Sequence, residues 1–210
     1  MTKPVLVIGA GGHANVVIDT LKRCDMDILG ALDSDASRHG TSILGIPILG
    51  GDDIVTTHEP KNILLANGIG STSDITNRRK VFERFRKQDY VFTALTHPSA
   101  IIAEDVVIGE GSQIMAGVVI QPGTRIGMNC IINTRASVDH DCTLGNHIHI
   151  APGAVLSGNV VIANNVHVGT GASVIHGMKI GQQSIIGAGA AVVKSVGANE
   201  TVTGVPAKAI

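Results

Sequence analysis

The sequence predicts two domains of different class: a small α/β domain over residues 1–97 and an all-β prism of stacked coils over residues 98–210. Three observations carry this. Composition breaks near residue 100: all four aromatics (Phe82, Phe85, Tyr90 and Phe92) and 22 of the 33 charged residues precede residue 102, while 16 of the 26 glycines follow it. Strand and helix signals alternate before the break. After it, one apolar position recurs every six residues. A core without aromatics must be filled by Ile, Val, Leu and Ala, which suits thin repeating layers. The boundary falls in Leu95-Thr96-His97-Pro98-Ser99.

In the first part, Val5–Ile8 is a short apolar run ending in Gly9-Ala10-Gly11-Gly12, which predicts a strand and a tight turn. Ala14, Val17, Ile18 and Leu21 then fall on one face of a helix. Ile28–Leu32 reads as a second strand, ending at Asp33, and Ile63–Ala66 as a third, followed by Asn67-Gly68-Ile69-Gly70. Residues Ser73–Gln88 read as a helix with Ile75, Val81, Phe82 and Phe85 towards the core, and Tyr90–Leu95 as a last strand. This order predicts a small parallel, Rossmann-like sheet with helices against it.

In the second part, every sixth residue from Ile102 to Val192 is Ile, Val or Leu. Two residues before many of these markers the side chain is small, as at Ser112, Thr124, Cys130, Ala136, Cys142, Ala154, Ala172, Ser184 and Ala190. Residues two apart in a strand share a face, so each hexad supplies one large and one small inward side chain. Gly109, Gly127, Gly145 and Gly181 fall on an eighteen-residue spacing, as do Asn129, His147, Asn165 and Gln183. Three hexads therefore make one coil, and about five coils stack at roughly 4.8 Å per layer.

Composition excludes several classes. An apolar fraction of 44% with 16% charged residues rules out disorder. A net charge of −1 argues against a nucleic-acid partner bound through phosphates. No apolar run approaches a membrane span and no leader pattern precedes the first strand, so a cytoplasmic protein is expected. Three cysteines are too few for a disulfide framework. Five histidines in the coils (His140, His147, His149, His167 and His176) invite a metal reading. Cys130 and Cys142 occupy small inward positions and metal-ligand spacings are absent, so no metal is expected.

His140 lies two residues past Val138, at a corner of the triangle, flanked by Asp139 and Asp141. A histidine near neutrality can take a proton from an amine or hydroxyl, and a carboxylate on its other nitrogen fixes the tautomer. The residues alone favour the plainer reading, a solvated corner histidine with incidental acidic neighbours. His149 stands beside inward Ile150, facing outward, and its plain structural reading is one rung of a polar ladder with His167, eighteen residues on. Gly9-x-Gly11-x-x-Ala14 between strand and helix suits a phosphate held on backbone N–H groups. Asp33 ends the next strand, where an acidic residue often holds a ribose or base. A domain of this size is only half a dinucleotide fold, which favours a mononucleotide or nucleotide sugar. Asn67, Gly68 and Arg78 are further candidates for lining that pocket, while Lys194 and Lys208 are candidates for meeting a cofactor phosphate.

The hexad pattern resembles the left-handed parallel β-helix of the hexapeptide-repeat acyltransferases, and the handedness comes from that resemblance. Residues 187–194 (GAGAAVVK) and 204–208 (GVPAK) are similar to that superfamily's ending. The Gly9–His13 turn and the stretch from Asn133 to Cys142 (NTRASVDHDC) narrow the resemblance to the sugar acetyltransferases of the bacillosamine and perosamine pathways and of sialic acid. The resemblance covers nearly the whole chain. It implies acetyl-CoA-dependent N-acetylation of a nucleotide-linked 4-amino-4,6-dideoxy sugar for surface glycans, in a homotrimer without metal. It implies His140 as general base with Asp141 behind it. It further implies acetyl-coenzyme A on His149, Gly158, Thr170 and Ala188, and nucleotide sugar on Gly11, Gly12, His13, Asp33 and Ser34. O-acetylation of a sialic-type sugar, and a non-catalytic trimeric scaffold with a nucleotide-sensing domain, are the alternatives.

Overall fold

The computed structural model describes residues 3–71 and 74–210, and these form two compact units, one of residues 3–71 and 76–98 and one built on 99–210. The first unit is a five-stranded sheet. Its strands are β1 (Val5–Ile8), β2 (Ile28–Leu32), β3 (Ser42–Ile43), β4 (Ile46–Gly50) and β5 (Leu64–Asn67), in the spatial order β3-β4-β2-β1-β5. β1 is fully buried and pairs in parallel with both β2 and β5, with Ile8 opposite Leu32 on one side and Asn67 on the other. The chain therefore leaves the sheet at Gly9, Asp33 and Gly68 on one edge. In open α/β sheets that carboxyl edge, where the chain departs to both sides of a central strand, is where ligands sit.

Helix α1 (Gly12–Arg23) buries Ala14, Val17, Ile18 and Leu21, the predicted face. Lys22 and Arg23 in its last turn complement the helix dipole. Helix α2 (Thr76–Arg86) buries Arg78, Phe82 and Phe85. It is shorter than the expected Ser73–Gln88, and Ser73 lies outside the described residues. Val81 is only half-buried.

Two expectations are corrected. The sheet is mixed, because β3 and β4 form an antiparallel hairpin that the sequence reading missed. Its turn places Leu44 at φ 49° and Gly45 at φ 77°. A leucine in the left-handed region costs energy, so Leu-Gly carries no turn signal of the kind Asn-Gly does. The expected strand at Tyr90–Leu95 is a single parallel bridge from Phe92 to Leu65, followed by the separate short strand Leu95–Thr96.

The second unit is a prism of two-residue rungs. One six-stranded sheet stacks the rungs ending at Ile102, Ile120, Val138, Leu156, Val174 and Val192. A five-stranded sheet stacks those ending at Ile108, Ile126, Leu144, Ile162 and Ile180. The third face carries the rungs ending at Ile114, Ile132, Ile150, Val168 and Ile186, continues into Thr201–Thr203, and is closed by antiparallel Lys208–Ala209. Each rung pairs in parallel with the residue eighteen positions on, as Ile126 does with Leu144. The markers and their small partners fill one continuous aromatic-free core, in which the nine small positions are at most 1% exposed.

The corners explain the polar columns. A tight corner every six residues needs one residue with positive φ, a conformation glycine adopts freely and Asn or Asp tolerates best among the rest. Gly111, Asn129, His147, Asn165 and Gln183 form one such column, with φ between 55° and 68°. Gly117, Arg135, Gly153, Gly171 and Gly189 form the second, and Gly123, Asp141, Asn159 and Gly177 the third. Asn129 and His147 also bond to each other, Nδ2 to Nδ1 at 2.9 Å. Asp141 is therefore a corner residue, and His140 immediately precedes the corner.

Candidate active site

The third corner is built around two missing side chains. His140 Nδ1 lies 2.8 Å from Asp141 Oδ2, with the two side chains 52% and 66% exposed. That bond places the proton on Nδ1 and leaves the Nε2 lone pair as the basic site. One coil on, at the same point of the corner, stands Gly158. A Cβ on Gly158 would lie 2.5 Å from His140 Nε2 and 2.6 Å from Cε1, so the imidazole rests where any other residue would put its side chain. One coil before Asp141 stands Gly123, whose added Cβ would collide with Asp141 Oδ1. The two glycines create the recesses that hold the base and its carboxylate. Gly123 was not singled out from the sequence, where it reads as one more corner glycine.

Asp141 raises the pKa of His140 chiefly through this hydrogen bond; desolvation opposes it, and the charges of Asp139 and Asp141 add smaller upward pulls. Asp139 Oδ1 also accepts from the backbone N–H of His140 at 2.8 Å, which fixes the turn. The imidazole of His176, two coils on, stands 6.1 Å from that of His140, ring centre to ring centre. The adjoining six-stranded face carries an open depression of about 130 Å³ bordered by Val119, Ser137, Asp139, Val155 and Ser157.

His149 lies on the third face and is 6% exposed, more enclosed than an outward-facing side chain leads one to expect. Asn133 Nδ2 donates to its Nε2 at 3.0 Å, and its ring meets His167 edge-to-face at 5.0 Å. The expected His149–His167 rung pairing is present. Burial lowers the pKa of His167. Thr170 and Ala188 are exposed and stand one coil apart on the edge where the third face turns into the six-stranded face. His140 and Gly158 occupy the next edge. A side of six residues spans at most about 20 Å at strand rise, so these candidates belong to two different edges of one prism.

Cys130 and Cys142 are fully buried, and their thiols donate to the carbonyls of Gly145 and Ser157 at 3.2 and 3.3 Å. Among the described residues, no cluster of three or more His, Cys, Asp or Glu side chains is arranged to hold a metal ion.

In the α/β unit, Gly11 caps α1 without a side-chain hydrogen bond, and a Cβ on Gly11 or Gly12 would meet nothing within 4 Å. The helix N-terminus thus opens onto the carboxyl edge of the sheet, where its partial positive charge favours an anion. Gly70 packs against His13, an added Cβ lying 2.9 Å from the His13 Cβ. Asp33 is half-buried. Its Oδ1 accepts from the Asp35 N–H at 3.0 Å and its Oδ2 from Arg38 Nη1 at 2.7 Å, while His39 Nε2 sits 2.8 Å from its carbonyl oxygen. Ser34 is exposed. Arg38 is a neighbour the sequence did not reveal, because five residues in an irregular turn imply no fixed contact.

Asn67 and Arg78 are not pocket-lining side chains. They are 1% and 2% exposed. Arg78 donates to the carbonyls of Asn67 and Ile69 at 2.9 and 2.7 Å, and Asn67 Nδ2 donates back to the Arg78 carbonyl at 3.1 Å. They form a buried clamp that shapes the loop after β5. No helix among the described residues is long and apolar enough to cross a membrane.

Comparison with known proteins agrees with this architecture. The PglD N-terminal domain model matches residues 4–85, and the bacterial transferase hexapeptide model matches residues 105–138 and 123–158. The acetyltransferase domain of PglB from Neisseria gonorrhoeae, solved in complex with acetyl coenzyme A, is 32% identical with a TM-score of 0.92 and 100% coverage of both chains. PerB from Caulobacter crescentus, in complex with CoA and GDP-perosamine, is 36% identical with a TM-score of 0.91, over 100% of this chain and 98% of that one. GDP-perosamine N-acetyltransferase of Escherichia coli O157:H7 is 37% identical over 84 residues, 40% of this chain and 38% of that protein. The chain belongs to the hexapeptide-repeat sugar N-acetyltransferases that carry a PglD-type N-terminal domain.

Proposed function

We propose that the protein transfers the acetyl group of acetyl-coenzyme A to the amine of a nucleotide-linked 4-amino-4,6-dideoxy sugar, in the cytoplasm, for surface-glycan synthesis. The observation that carries this is the His140–Asp141 pair with Nε2 over Gly158: a hydrogen-bonded, half-exposed imidazole with its basic nitrogen in a side-chain-free recess. The amine nitrogen attacks the thioester carbon, the C–N bond forms and the C–S bond breaks. His140 Nε2 takes the proton the nitrogen sheds, and Asp141 stabilises the resulting imidazolium. The thiolate of coenzyme A leaves. A thioester is electrophilic enough that positioning and proton removal carry the reaction.

Gly11, Gly12, His13, Asp33 and Ser34 hold the nucleotide, with the diphosphate at the open N-terminus of α1. His149, Thr170, Ala188 and Gly158 take the coenzyme. His140 and the Thr170–Ala188 pair stand on different edges of one prism, so one chain's base works beside another chain's coenzyme edge in a homotrimer. Cyclic closure completes all three sites with one contact.

The test measures free-thiol release from acetyl-coenzyme A with UDP-, dTDP- and GDP-linked amino sugars, and with free hydroxyl sugars. Turnover only on nucleotide-linked amines is expected, falling by about 10²–10⁴-fold in His140→Ala. Turnover on free hydroxyl sugars alone, or wild-type turnover in that variant, overturns the reading. A monomer in sedimentation removes the shared site.

A further inference from the structure

The carboxyl edge of the α/β sheet carries an ion pair whose hydrogen-bonding capacity the fold does not use up. Asp33 follows β2, and its backbone N–H donates to the Gly50 carbonyl at 2.9 Å, which ties it to the end of β4. Its Oδ1 accepts from the Asp35 N–H at 3.0 Å and its Oδ2 from Arg38 Nη1 at 2.7 Å. His39 Nε2 donates to its carbonyl oxygen, and Thr41 Oγ1 donates to the carbonyl of Arg38 at 2.6 Å. The two charged groups are therefore fixed in place, with the Asp33 side chain 15% exposed and that of Arg38 37% exposed. A carboxylate offers about four lone-pair sites and a guanidinium five N–H groups. Each oxygen of Asp33 keeps a lone pair to spare, and no residue among those described meets the remaining N–H groups of Arg38.

Charge decides what such a pair can hold. A phosphate drawn to Arg38 is repelled by Asp33, so the pair is no anion site. A neutral group with both donors and acceptors suits it. The two hydroxyls of a ribose would satisfy the carboxylate and leave the guanidinium unanswered, whereas the edge of a nucleobase answers both. The pair sets one donor beside two acceptors. The Watson–Crick edge of guanine is the complement: O6 accepts, and N1–H and N2–H donate. Uracil and thymine read acceptor, donor, acceptor, so their second carbonyl would face a carboxylate oxygen. Adenine answers only one donor and one acceptor. Resting on the nucleotide role given to this edge above, we propose that Asp33 and Arg38 together read the base of the nucleotide sugar and select guanine. A site built to pair polar groups rejects a base that leaves them unpaired, and the partial enclosure of Asp33 makes that rejection stronger.

The experiment measures the binding of nucleoside diphosphates to the full-length protein by isothermal titration calorimetry. GDP is expected to bind about tenfold or more tighter than UDP, dTDP or ADP. Inosine diphosphate, which is GDP without the 2-amino group, should fall between GDP and UDP. Arg38→Leu should weaken GDP about tenfold. Asp33→Asn exchanges one acceptor for a donor. The ratio of GDP to inosine diphosphate affinity should then shrink towards one, and UDP should gain relative to GDP. A merely structural effect of that substitution lowers all three ligands alike and leaves the ratios as they were, which overturns the proposal. Equal affinity for all bases, with a loss only in 2′-deoxy-GDP, assigns the pair to the ribose and overturns it too. Tighter binding of UDP or dTDP than of GDP removes the selection of guanine and leaves the nucleotide site standing. No binding of any diphosphate removes both.

Discussion

The prism and the α/β unit place their candidate residues by different means. In the prism, position is fixed by counting. A residue's place in its hexad sets whether it faces the core, a face or a corner, and its place in the coil sets its neighbours above and below. His140, Asp141, Gly123 and Gly158 meet because they are spaced by one coil or one residue. In the α/β unit, neighbours are set by single events: a crossover, a hairpin, a buried Arg78 clamp. Asp33 meets Arg38 through one irregular turn. A periodic scaffold thus makes a site predictable and leaves little freedom to rearrange it, while the strand-end loops are free to vary with the ligand.

That contrast breaks most sharply at glycine. Gly158 has a φ any residue adopts, yet its added Cβ strikes His140. Gly158→Ala is expected to keep the prism intact by circular dichroism and melting temperature, because the imidazole swings into solvent. Turnover should fall on the order of 10- to 100-fold, since a displaced base loses its near-attack geometry. In the other unit, a Cβ on Gly68 would meet the Gly9 carbonyl oxygen at 2.6 Å, Val7 Cγ1 at 2.9 Å and the Ala14 Cβ at 3.0 Å. These are backbone and core atoms that cannot step aside. Gly68→Ala should therefore cost about 1–3 kcal/mol of stability in denaturant unfolding. A Gly158→Ala protein that unfolds, or one with full turnover, would erase the distinction.

Next in size are the two carboxylates. Asp33→Ala removes a contact proposed for the nucleotide and leaves Arg38 unpaired, so KM for the nucleotide sugar should rise about tenfold or more with kcat little changed. Asp141→Asn should do the reverse. Asn still accepts from Nδ1, so the tautomer is retained, but the hydrogen bond to a charged acceptor, the main cause of the raised His140 pKa, becomes one to a neutral amide and the charge is lost with it. The neutral base then appears at lower pH. The acid limb of kcat/KM should shift to lower pH, with a reduced plateau because the base is weaker. An acid limb unmoved in Asp141→Asn separates His140 from the observed ionisation.

What could be read beforehand follows the same division. The hexad markers gave the prism core, its register and the corner position of His140. The eighteen-residue spacing showed the polar columns but not why they exist, because positive φ is a backbone property without its own letter. Asp141 reads as a partner of His140, whereas its second duty as the corner residue emerges only from its φ of 57°. In the α/β unit, β1, α1 and β2 are legible from apolar runs and helical spacing. The β3–β4 hairpin is not, because its turn uses a leucine at positive φ. Asn67 and Arg78 look like pocket residues because they are polar and near a glycine loop. Their burial comes from contacts across eleven positions that no local pattern records.

The smallest effect concerns the pair on the third face. His167 is pushed below the usual histidine pKa by burial, and its Nδ1 is enclosed without a hydrogen-bond partner. In the unfolded chain the same imidazole takes up its proton near 6.5. Between that value and the lower folded one, the unfolded state binds more protons, so stability falls as pH drops through the window and levels off below it. One proton contributes a slope of at most about 1.4 kcal/mol per pH unit, and partial burial makes it less. His167→Gln removes that titration while leaving every other histidine in place. The difference in unfolding free energy between wild type and variant, followed by urea denaturation from pH 7.5 to 5, should therefore move in favour of the variant as pH falls. His140 runs the opposite way, its pKa being raised, so its stabilising contribution is present at low pH and fades as pH rises through the folded value. A flat difference for His167→Gln would show that the third face admits water and that its imidazole charges freely.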